Sequence, residues 1–212
     1  MAVKGILFNT EMVRAILDGK KSCTRRLVKT RRKDACGFYV TRRKADGLFA
    51  GIYEYDENES MFDNQLEPPY QPGDIIYVRE TWHKYIKRVG EGQNCHLAEF
   101  YGYKASVANS EDAGEPWKPS IHMPKEAARI WLKVTDVRVE RLQEITADGI
   151  RNEGLSSAAV HCGDMEIALK EWENLWNSTI KKSDLGRYGW NASPWVWVIE
   201  FERCEKTQEE HK

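Results

Sequence analysis

The sequence predicts a β-rich α+β fold in which several helices pack around an antiparallel β-barrel. Short apolar or alternating segments, which are typical of strands, recur along the chain. Two stretches instead repeat apolar residues at the spacing of an amphipathic helix. Strands and helices do not alternate as β-α-β units, so a doubly wound nucleotide-binding fold is not expected.

The elements follow from these patterns. In chain order they are a strand at 5–8, a helix between 9 and 19, a hairpin of 38–43 with 48–53, strands at 75–82, 98–103 and 129–141, helices at 146–152 and 164–178, and a strand at 194–203. Polar, glycine-containing or proline-containing stretches predict loops at 56–72, 86–96, 106–119 and 186–193.

Helix and turn signals bound the elements of the first half. Asn9 or Thr10 can cap the first helix, because their side-chain oxygens accept free backbone N–H groups. Gly19 ends that helix. An Asp-Gly turn at 46–47 joins the two strands of the hairpin.

Periodicity defines the elements of the second half. Residues 129–141 alternate strictly except near Thr135, where the slip predicts a β-bulge. Thr146 caps the short helix, and apolar residues from Met165 to Trp176 form one stripe on the longer helix. The apolar run in the last strand predicts burial on both faces.

Composition and charge limit the class of protein. The 212 residues are 41% hydrophobic and 31% charged, which is a normal balance for a globular protein. Net charge is −1, but basic residues cluster between Arg25 and Lys44. Such a cluster is compatible either with a basic face that binds phosphates or with an ordinary solvated surface.

Cysteine usage and hydropathy indicate a cytoplasmic protein. The five cysteines include no C-x-x-C pair, which argues against a zinc ribbon and against a secreted disulfide scaffold. No segment has the length or hydropathy of a signal peptide or a transmembrane helix. Neither a metal site nor a cofactor motif is found, so neither is expected.

Four groups of residues are candidates for chemistry. Lys21 and Thr24 place an amine and a hydroxyl three residues apart after a helix cap, and burial of such an amine favours its neutral form. The alternative for both is an ordinary exposed helix end. Glu153, before Gly154, can hold a cation or take a proton, or it can be a solvated helix end.

The other two groups lie on a strand and in a proline-bracketed segment. Glu80 shares a strand face with apolar neighbours, so it lies either at an exposed strand end or in a paired, enclosed position. His122 can act as an acid or base or as a structural hydrogen-bonding group.

At these residues the chain resembles the ASCH family of the PUA-like superfamily. The motif G-x-K-x-x-T-x-R is matched by Gly19, Lys21, Thr24 and Arg26, and Gly73-Asp74 and the closing V-I-E-F at 198–201 also match. The segments RETW, PSIHMP and KVTDVRVERLQEIT resemble a longer subgroup often encoded by phages and prophages. The resemblance implies a PUA-like barrel as one domain at 1–204, with insertions at about 29–72 and 83–118. The acidic residues at 205–212 predict a flexible tail.

The resemblance implies two kinds of activity. Small relatives include amidohydrolases that remove the acetyl group from N4-acetylcytidine with a lysine, a threonine and a glutamate, which correspond here to Lys21, Thr24 and Glu153. Other relatives are RNA binders or nucleases. The partner expected in either case is a modified nucleoside or RNA.

Further residues are assigned to substrate binding. In the hydrolase hypothesis a tryptophan stacks on the base while cationic or polar side chains hold its edge or the sugar; these residues are Arg26, Arg79, Glu80, Trp82, Trp117, Ser120 and His122. In the alternative hypothesis of a non-catalytic RNA-binding module, arginines hold phosphates; these are Arg25, Arg26, Arg31, Arg32, Arg42 and Arg43. A ribonuclease that uses the same basic face is a further alternative.

Overall fold

The computed structural model describes residues 2–47, 49–106, 116–155 and 162–206. Its strands are β1 (Val3–Leu7), β2 (Cys23–Leu27), β3 (Gly37–Arg42), β4 (Phe49–Tyr55), β5 (Met61–Gln65), β6 (Ile75–Arg79), β7 (Trp82–Val89), β8 (His96–Tyr103), β9 (Trp131–Arg141) and β10 (Trp195–Cys204). Its α-helices are α1 (Thr10–Leu17), α2 (Ala147–Asn152), α3 (Met165–Thr179) and α4 (Leu185–Tyr188). The predicted β-rich α+β class is confirmed.

Five strands form the main sheet in the order β1-β6-β9-β10-β2. β1 and β6 run parallel, and the other neighbours are antiparallel. β10 lies between β9 and β2, and its residues Val196 to Ile199 are each at most 4% exposed. The burial on both faces predicted for this strand is therefore confirmed.

Each face of the sheet has its own apolar cluster. On one face Trp197 and Ile199 pack with Val13 and Ile16 of α1. On the other face Val196 and Val198 pack with residues of α2 and α3, namely Ile150, Trp172 and Trp176. Alternation along β10 thus directs successive side chains into two different cores.

Two smaller sheets lie in the segments predicted as insertions. β3, β4 and β5 form a three-stranded sheet, and β7 pairs with β8. Ile52 of β4 belongs to the same apolar cluster as α1 and the main sheet. The division of the chain into one domain with two insertions stays a prediction.

Closure of the main sheet into a barrel also stays a prediction. Within the described residues no backbone ladder joins the edge strands β1 and β2. A side chain bridges them instead, because Arg26 of β2 donates through Nη2 to the Leu7 carbonyl of β1 at 2.8 Å. The sheet therefore curls enough to bring its two edges within one side chain of each other.

Local signals for several elements are confirmed. The Asn9 side chain accepts from Met12 N, and the Thr146 side chain accepts from Gly149 N, as helix caps. The bulge in β9 lies at Thr135, because Glu200 pairs with Asp136 while Phe201 already pairs with Val134.

Other local predictions were wrong. The predicted loop 56–72 contains β5, and the first four residues of the predicted loop 86–96 belong to β7, which ends at Val89. The strand predicted at 75–82 ends at Arg79, because the chain leaves the main sheet there and enters the β7–β8 pair at Trp82. The predicted loop 186–193 contains most of α4 and a 3-10 turn.

Parts of the chain lie outside the described residues. They include 107–115 of the predicted loop 106–119, and the tail from residue 207. In the part of the chain that the structure describes, no helix is long and apolar enough to cross a membrane.

Candidate functional site

The end of α2 meets the start of β2. Lys21 and Glu153 form an isolated antiparallel bridge, and Ser22 N donates to the carbonyl of Asn152 at 2.9 Å. Gly154 permits this approach, because it has a φ of +94° and a Cβ there would lie 2.8 Å from Ala15 Cβ and 3.0 Å from Lys21 Cβ. Residues 132 positions apart are thereby held side by side.

A short ion pair occupies this junction. Lys21 Nζ lies 2.6 Å from Glu153 Oε2 and also donates to the Glu153 carbonyl at 2.9 Å. The Lys21 side chain is 0% exposed and the Glu153 side chain is 2% exposed. Both residues were predicted as site residues, and neither is the solvated helix end that was the alternative.

Arg25 holds the second oxygen of the same carboxylate. Its Nη1 lies 3.2 Å from Glu153 Oε1, and its Nε and Nη2 donate to Glu140 Oε1 at 2.8 and 2.6 Å. Because the Arg25 side chain is only 2% exposed, it does not lie on an exposed basic face, which corrects its predicted role as a phosphate contact. Glu140 and Glu153 together raise the pKa of Arg25 despite its burial.

The charged cluster continues from this junction to the protein surface. Arg138 lies 3.7 Å from Glu140 Oε2 and 2.5 Å from Glu200 Oε1. The side chains become more exposed along this path, from 2% for Arg25 to 40% for Arg138. Alternating charges thus connect the buried pair to solvent.

Thr24 lies between these groups on β2. Alternation along the strand places Thr24 and Arg26 on one face and Cys23 and Arg25 on the other. Lys21 Nζ and the Arg26 guanidinium lie 5.6 and 5.4 Å from the centroid of the Phe8 ring. The Lys21 amine therefore lies near the same aromatic ring as Arg26, which shares the face of Thr24, and Thr24 itself is buried with 3% exposed.

Cys23 is a second potential nucleophile at this position. Burial, followed by the charge of Glu153, raises the pKa of its thiol to about 12. The thiol therefore stays protonated at neutral pH, and it points to the face of β2 opposite Thr24. Thr24 is the better placed hydroxyl or thiol beside the Lys21 amine.

Arg79 and the segment around His122 lie close to Arg26. Leu7, whose carbonyl accepts from Arg26, pairs with Arg79 in the β1–β6 ladder. Arg79 donates to the carbonyls of Met123 and Ile121. Ser120 and His122 belong to this 3-10 turn, in which His122 is exposed. Arg26 and Arg79 are thus brought together at one end of β1, and the 3-10 turn adjoins them.

Trp82 lies on β7 and Trp117 lies in the segment bridged to it through Lys118, but the two rings contact different groups. Trp82 is buried and packs against Tyr101 with ring centroids 5.8 Å apart. Trp117 is half-buried and lies 4.6 Å from the His83 ring. Trp117 is therefore the more accessible of the two predicted stacking residues.

Glu80 is the enclosed member of a pair with Arg129, a residue the sequence did not single out. Arg129 holds both carboxylate oxygens at 2.8 and 2.9 Å, and the Glu80 side chain is 1% exposed. The Arg129 guanidinium also lies 4.1 Å from the Tyr103 ring centroid. Of the two alternatives for Glu80, the structure supports the paired, enclosed position.

Arg42 and Arg43 lie on the hairpin and bond within their own turn. Arg42 donates to the carbonyl of Gly47 at 3.4 Å, and Arg43 pairs with Asp46 at 2.8 Å. The structure places them on the three-stranded sheet rather than beside the Lys21–Glu153 pair. Among the described residues no cluster of His, Cys, Asp and Glu is suited to hold a metal ion.

Comparisons with known proteins give little further information. No family model matches the chain, and no curated protein matches it. A similar solved structure is the crystal structure of an ASCH domain from Lactobacillus crispatus JV V101. It is 12% identical over 95% of this chain and 79% of that chain, with a TM-score of 0.38. A similarity at this level assigns neither a family nor an activity to this chain.

Proposed function

We propose that the protein is an amidohydrolase that removes the acyl group from an N4-acylated cytidine. Thr24 is the nucleophile, Lys21 carries the proton, and Glu153 holds Lys21 in place. The observation that carries this proposal is the buried contact of 2.6 Å between Lys21 Nζ and Glu153 Oε2 at the start of β2, the strand that carries Thr24.

A buried ion pair is poor evidence for stability, which makes a functional role the better explanation. Removing two charges from water costs several kcal/mol per ion, and apolar residues of similar size often stabilise a fold as well or better. Charges arranged in this way around a nucleophile are typical of catalytic sites. Here two buried cations, Lys21 and Arg25, are balanced by two carboxylates, Glu153 and Glu140, next to the strand that carries Thr24.

The short contact offers a route to a neutral amine. Transfer of one proton from Lys21 Nζ to Glu153 Oε2 yields an amine and a carboxylic acid without changing the net charge of the buried pair. Arg25 donates to the other oxygen of Glu153 at 3.2 Å, which restrains rotation of the carboxyl group. Glu140 in turn holds Arg25.

The first half of the reaction transfers the acyl group to Thr24. The Thr24 oxygen attacks the amide carbonyl carbon, and its proton passes to the Lys21 amine. The bond between the carbonyl carbon and N4 then breaks, and the resulting ammonium of Lys21 protonates N4, so cytidine leaves. Thr24 is left as an ester.

The second half restores the enzyme. Water attacks the ester carbon while Lys21 takes one of its protons. That proton then passes to the Thr24 oxygen as the ester bond breaks, and the carboxylic acid is released.

The base and sugar are expected on the Arg26 side of the site. Arg26 shares the face of Thr24 and is joined through Leu7 to Arg79 and the turn that contains Ser120 and His122. Since Thr24 is only 3% exposed, a substrate reaches its hydroxyl after neighbouring side chains move. Trp117 is the ring proposed to stack on the base.

The test measures cytidine release from N4-acetylcytidine by chromatography. We expect release by the wild type, and a loss of about 100-fold or more for Lys21→Ala and Thr24→Val, because each removes a group that takes part in proton or acyl transfer. Thr24→Ser keeps the hydroxyl and should retain measurable activity. Lys20→Ala is the matched control, since Lys20 is adjacent in sequence and its side chain is 50% exposed.

Thermal melts of all four variants separate lost chemistry from lost folding. A folded wild type that releases no cytidine would contradict the proposal and leave the RNA-binding module as the better explanation. Equal losses in Lys20→Ala and Lys21→Ala would contradict the assignment of Lys21.

A further inference from the structure

A pocket lies beyond the end of β2 that is farther from Lys21. It has a volume of about 140 Å³ and lies between the start of β3, the end of β9 and α4. Its wall includes Thr30, Phe38, Arg141, Arg187, Tyr188 and Trp195. The five residues of β2 separate it from Lys21, which is roughly 17 Å of extended chain.

Two arginines of this wall, Arg141 and Arg187, form no ion pair with a carboxylate of the described residues. Six other arginines of the described chain pair with a carboxylate: Arg25, Arg32, Arg43, Arg129, Arg138 and Arg151. Within the described ranges Arg141 and Arg187 form no such pair, and both are exposed. Two free guanidinium groups at one small pocket favour an anionic ligand.

Arg141 is held in place without losing its charge. Its guanidinium lies 4.2 Å from the Trp195 ring centroid and donates to the Ser193 carbonyl at 3.2 Å. Stacking and one bond to a neutral oxygen orient the group and leave other N–H donors for a ligand. The site is therefore partly preorganised for an anion.

The basic stretch found in the sequence continues this positive surface. Lys29 and Arg31 are exposed and flank Thr30 of the pocket wall. Neither forms an ion pair with a carboxylate within the described part of the chain. Two cations thus line the pocket and two more are adjacent in sequence to one of its wall residues, although the protein as a whole has a net charge of −1.

The pocket is too small for a complete large ligand. Its volume of about 140 Å³ is below the roughly 300–1,000 Å³ of pockets that enclose a drug-sized molecule. One part of a longer molecule fits this size, with the remainder lying on the flanking cations. Phe38 and Tyr188 add aromatic surface beside the arginines, the combination that single-stranded nucleic acid requires.

We propose that this pocket binds one nucleotide of a single-stranded RNA, with its phosphate on Arg141 and Arg187. This binding site is independent of catalysis. Only its extension, that the acylated cytidine is read within an RNA strand rather than as a free nucleoside, rests on the proposed function.

Fluorescence anisotropy of labelled pentacytidylate in a series of KCl concentrations tests the proposal. We expect Arg187→Gln to weaken binding about 3- to 10-fold and to reduce the salt slope by about 0.7, the value for one lost phosphate contact on a single strand. Arg187→Lys keeps the charge and should lose less. Arg203→Gln is the matched control, an exposed arginine at the end of β10, and should change the affinity less than about 2-fold.

Alkylation of cysteines locates the bound strand without any substitution. Cys36 lines the pocket and is exposed, and Cys95 is exposed near the β7–β8 turn. Saturating pentacytidylate should slow the reaction of Cys36 with iodoacetamide relative to that of Cys95, as read by peptide mass spectrometry.

Three results would overturn the proposal: equal affinities of wild type and Arg187→Gln, unchanged alkylation of Cys36, or competition by free cytidine monophosphate as strong as that by the pentamer. None of these measurements involves cytidine release. A result that refutes RNA binding at this pocket can therefore be told apart from a result that refutes the amidohydrolase activity.

Discussion

At the scale of single residues, the central feature is a carboxylate whose two oxygens serve two cations. Glu153 Oε2 bonds Lys21, and Glu153 Oε1 bonds Arg25. Loss of one partner from a buried pair leaves an uncompensated charge and typically costs about 3–5 kcal/mol. The groups therefore depend on each other for stability as well as for geometry.

The close approach of the backbone at Gly154 is expected to position Glu153. Gly154→Ala combines an unfavourable positive φ with contacts to Ala15 and Lys21, so we expect it to shift Glu153 and lower cytidine release. Gly19→Ala is the matched control, because Gly19 has a φ of +70° but a Cβ there meets nothing within 4 Å. It should cost about 1–2 kcal/mol of unfolding free energy with little effect on activity.

Urea unfolding measures the stability of both variants, and chromatography measures their release of cytidine. Equal losses of stability in the two variants, with activity retained in Gly154→Ala, would show that the close approach at Gly154 is not needed to position the site.

At the scale of elements, Asp74 fastens β1 to the start of β6. Its carboxylate accepts from Ala2 N at 2.8 Å and from Lys4 Nζ at 3.0 Å. Burial alone would raise the pKa of Asp74, but these bonds, a bond from Gln71 N and the Lys4 charge outweigh it. The pKa is therefore held below its ordinary value of 3.8.

The contribution of Asp74 to the unfolding free energy decreases as the pH falls. A carboxyl group with a depressed pKa contributes its stability above the unfolded-state pKa and loses it as pH falls through the lower native value. We expect the difference in unfolding free energy between wild type and Asp74→Asn to be constant above about pH 5 and to shrink below pH 3.8. Urea titrations at several pH values measure it, and a difference that persists at low pH would contradict this account.

Strong periodicity made most elements predictable from sequence. Strand β9, its bulge at Thr135 and helix α3 follow from alternation or from a 3.6-residue stripe, both of which report burial directly. β5 was missed because it pairs with one neighbour only, β4, and its sequence MFDNQ is half polar. The break after Arg79 was missed because a chain that changes sheets keeps its strand character in sequence.

At the scale of the whole molecule, the site depends on contacts between residues far apart in sequence. The pairing of Lys21 with Glu153 was predicted through resemblance to a family, not through any local pattern. Arg129 beside Glu80, and the Arg141–Arg187 pocket, were not predicted at all, because no periodicity marks an arginine whose partner lies on another element. Sequence patterns report which side of an element is buried, whereas these sites depend on which elements meet.

Arg26 connects the two edge strands of the main sheet, β1 and β2. Its Nη2 donates to Leu7 O at 2.8 Å, and its guanidinium lies over Phe8, whose N–H bonds Arg79 O at 3.2 Å. Arg26→Met keeps the apolar stem but removes the donors, so the edge strand β1 should open more often. Hydrogen exchange of peptides that cover β1 should become faster, while those that cover the central strand β10 should not change.

Arg88→Met is the matched control for this measurement, because Arg88 is an exposed arginine on β7, outside the main sheet. Unchanged exchange in β1 of Arg26→Met would mean that ladder pairing with β6 alone holds the edge in place. Faster exchange confined to β1 and β2 would instead show that one side chain holds the two edges of the sheet together.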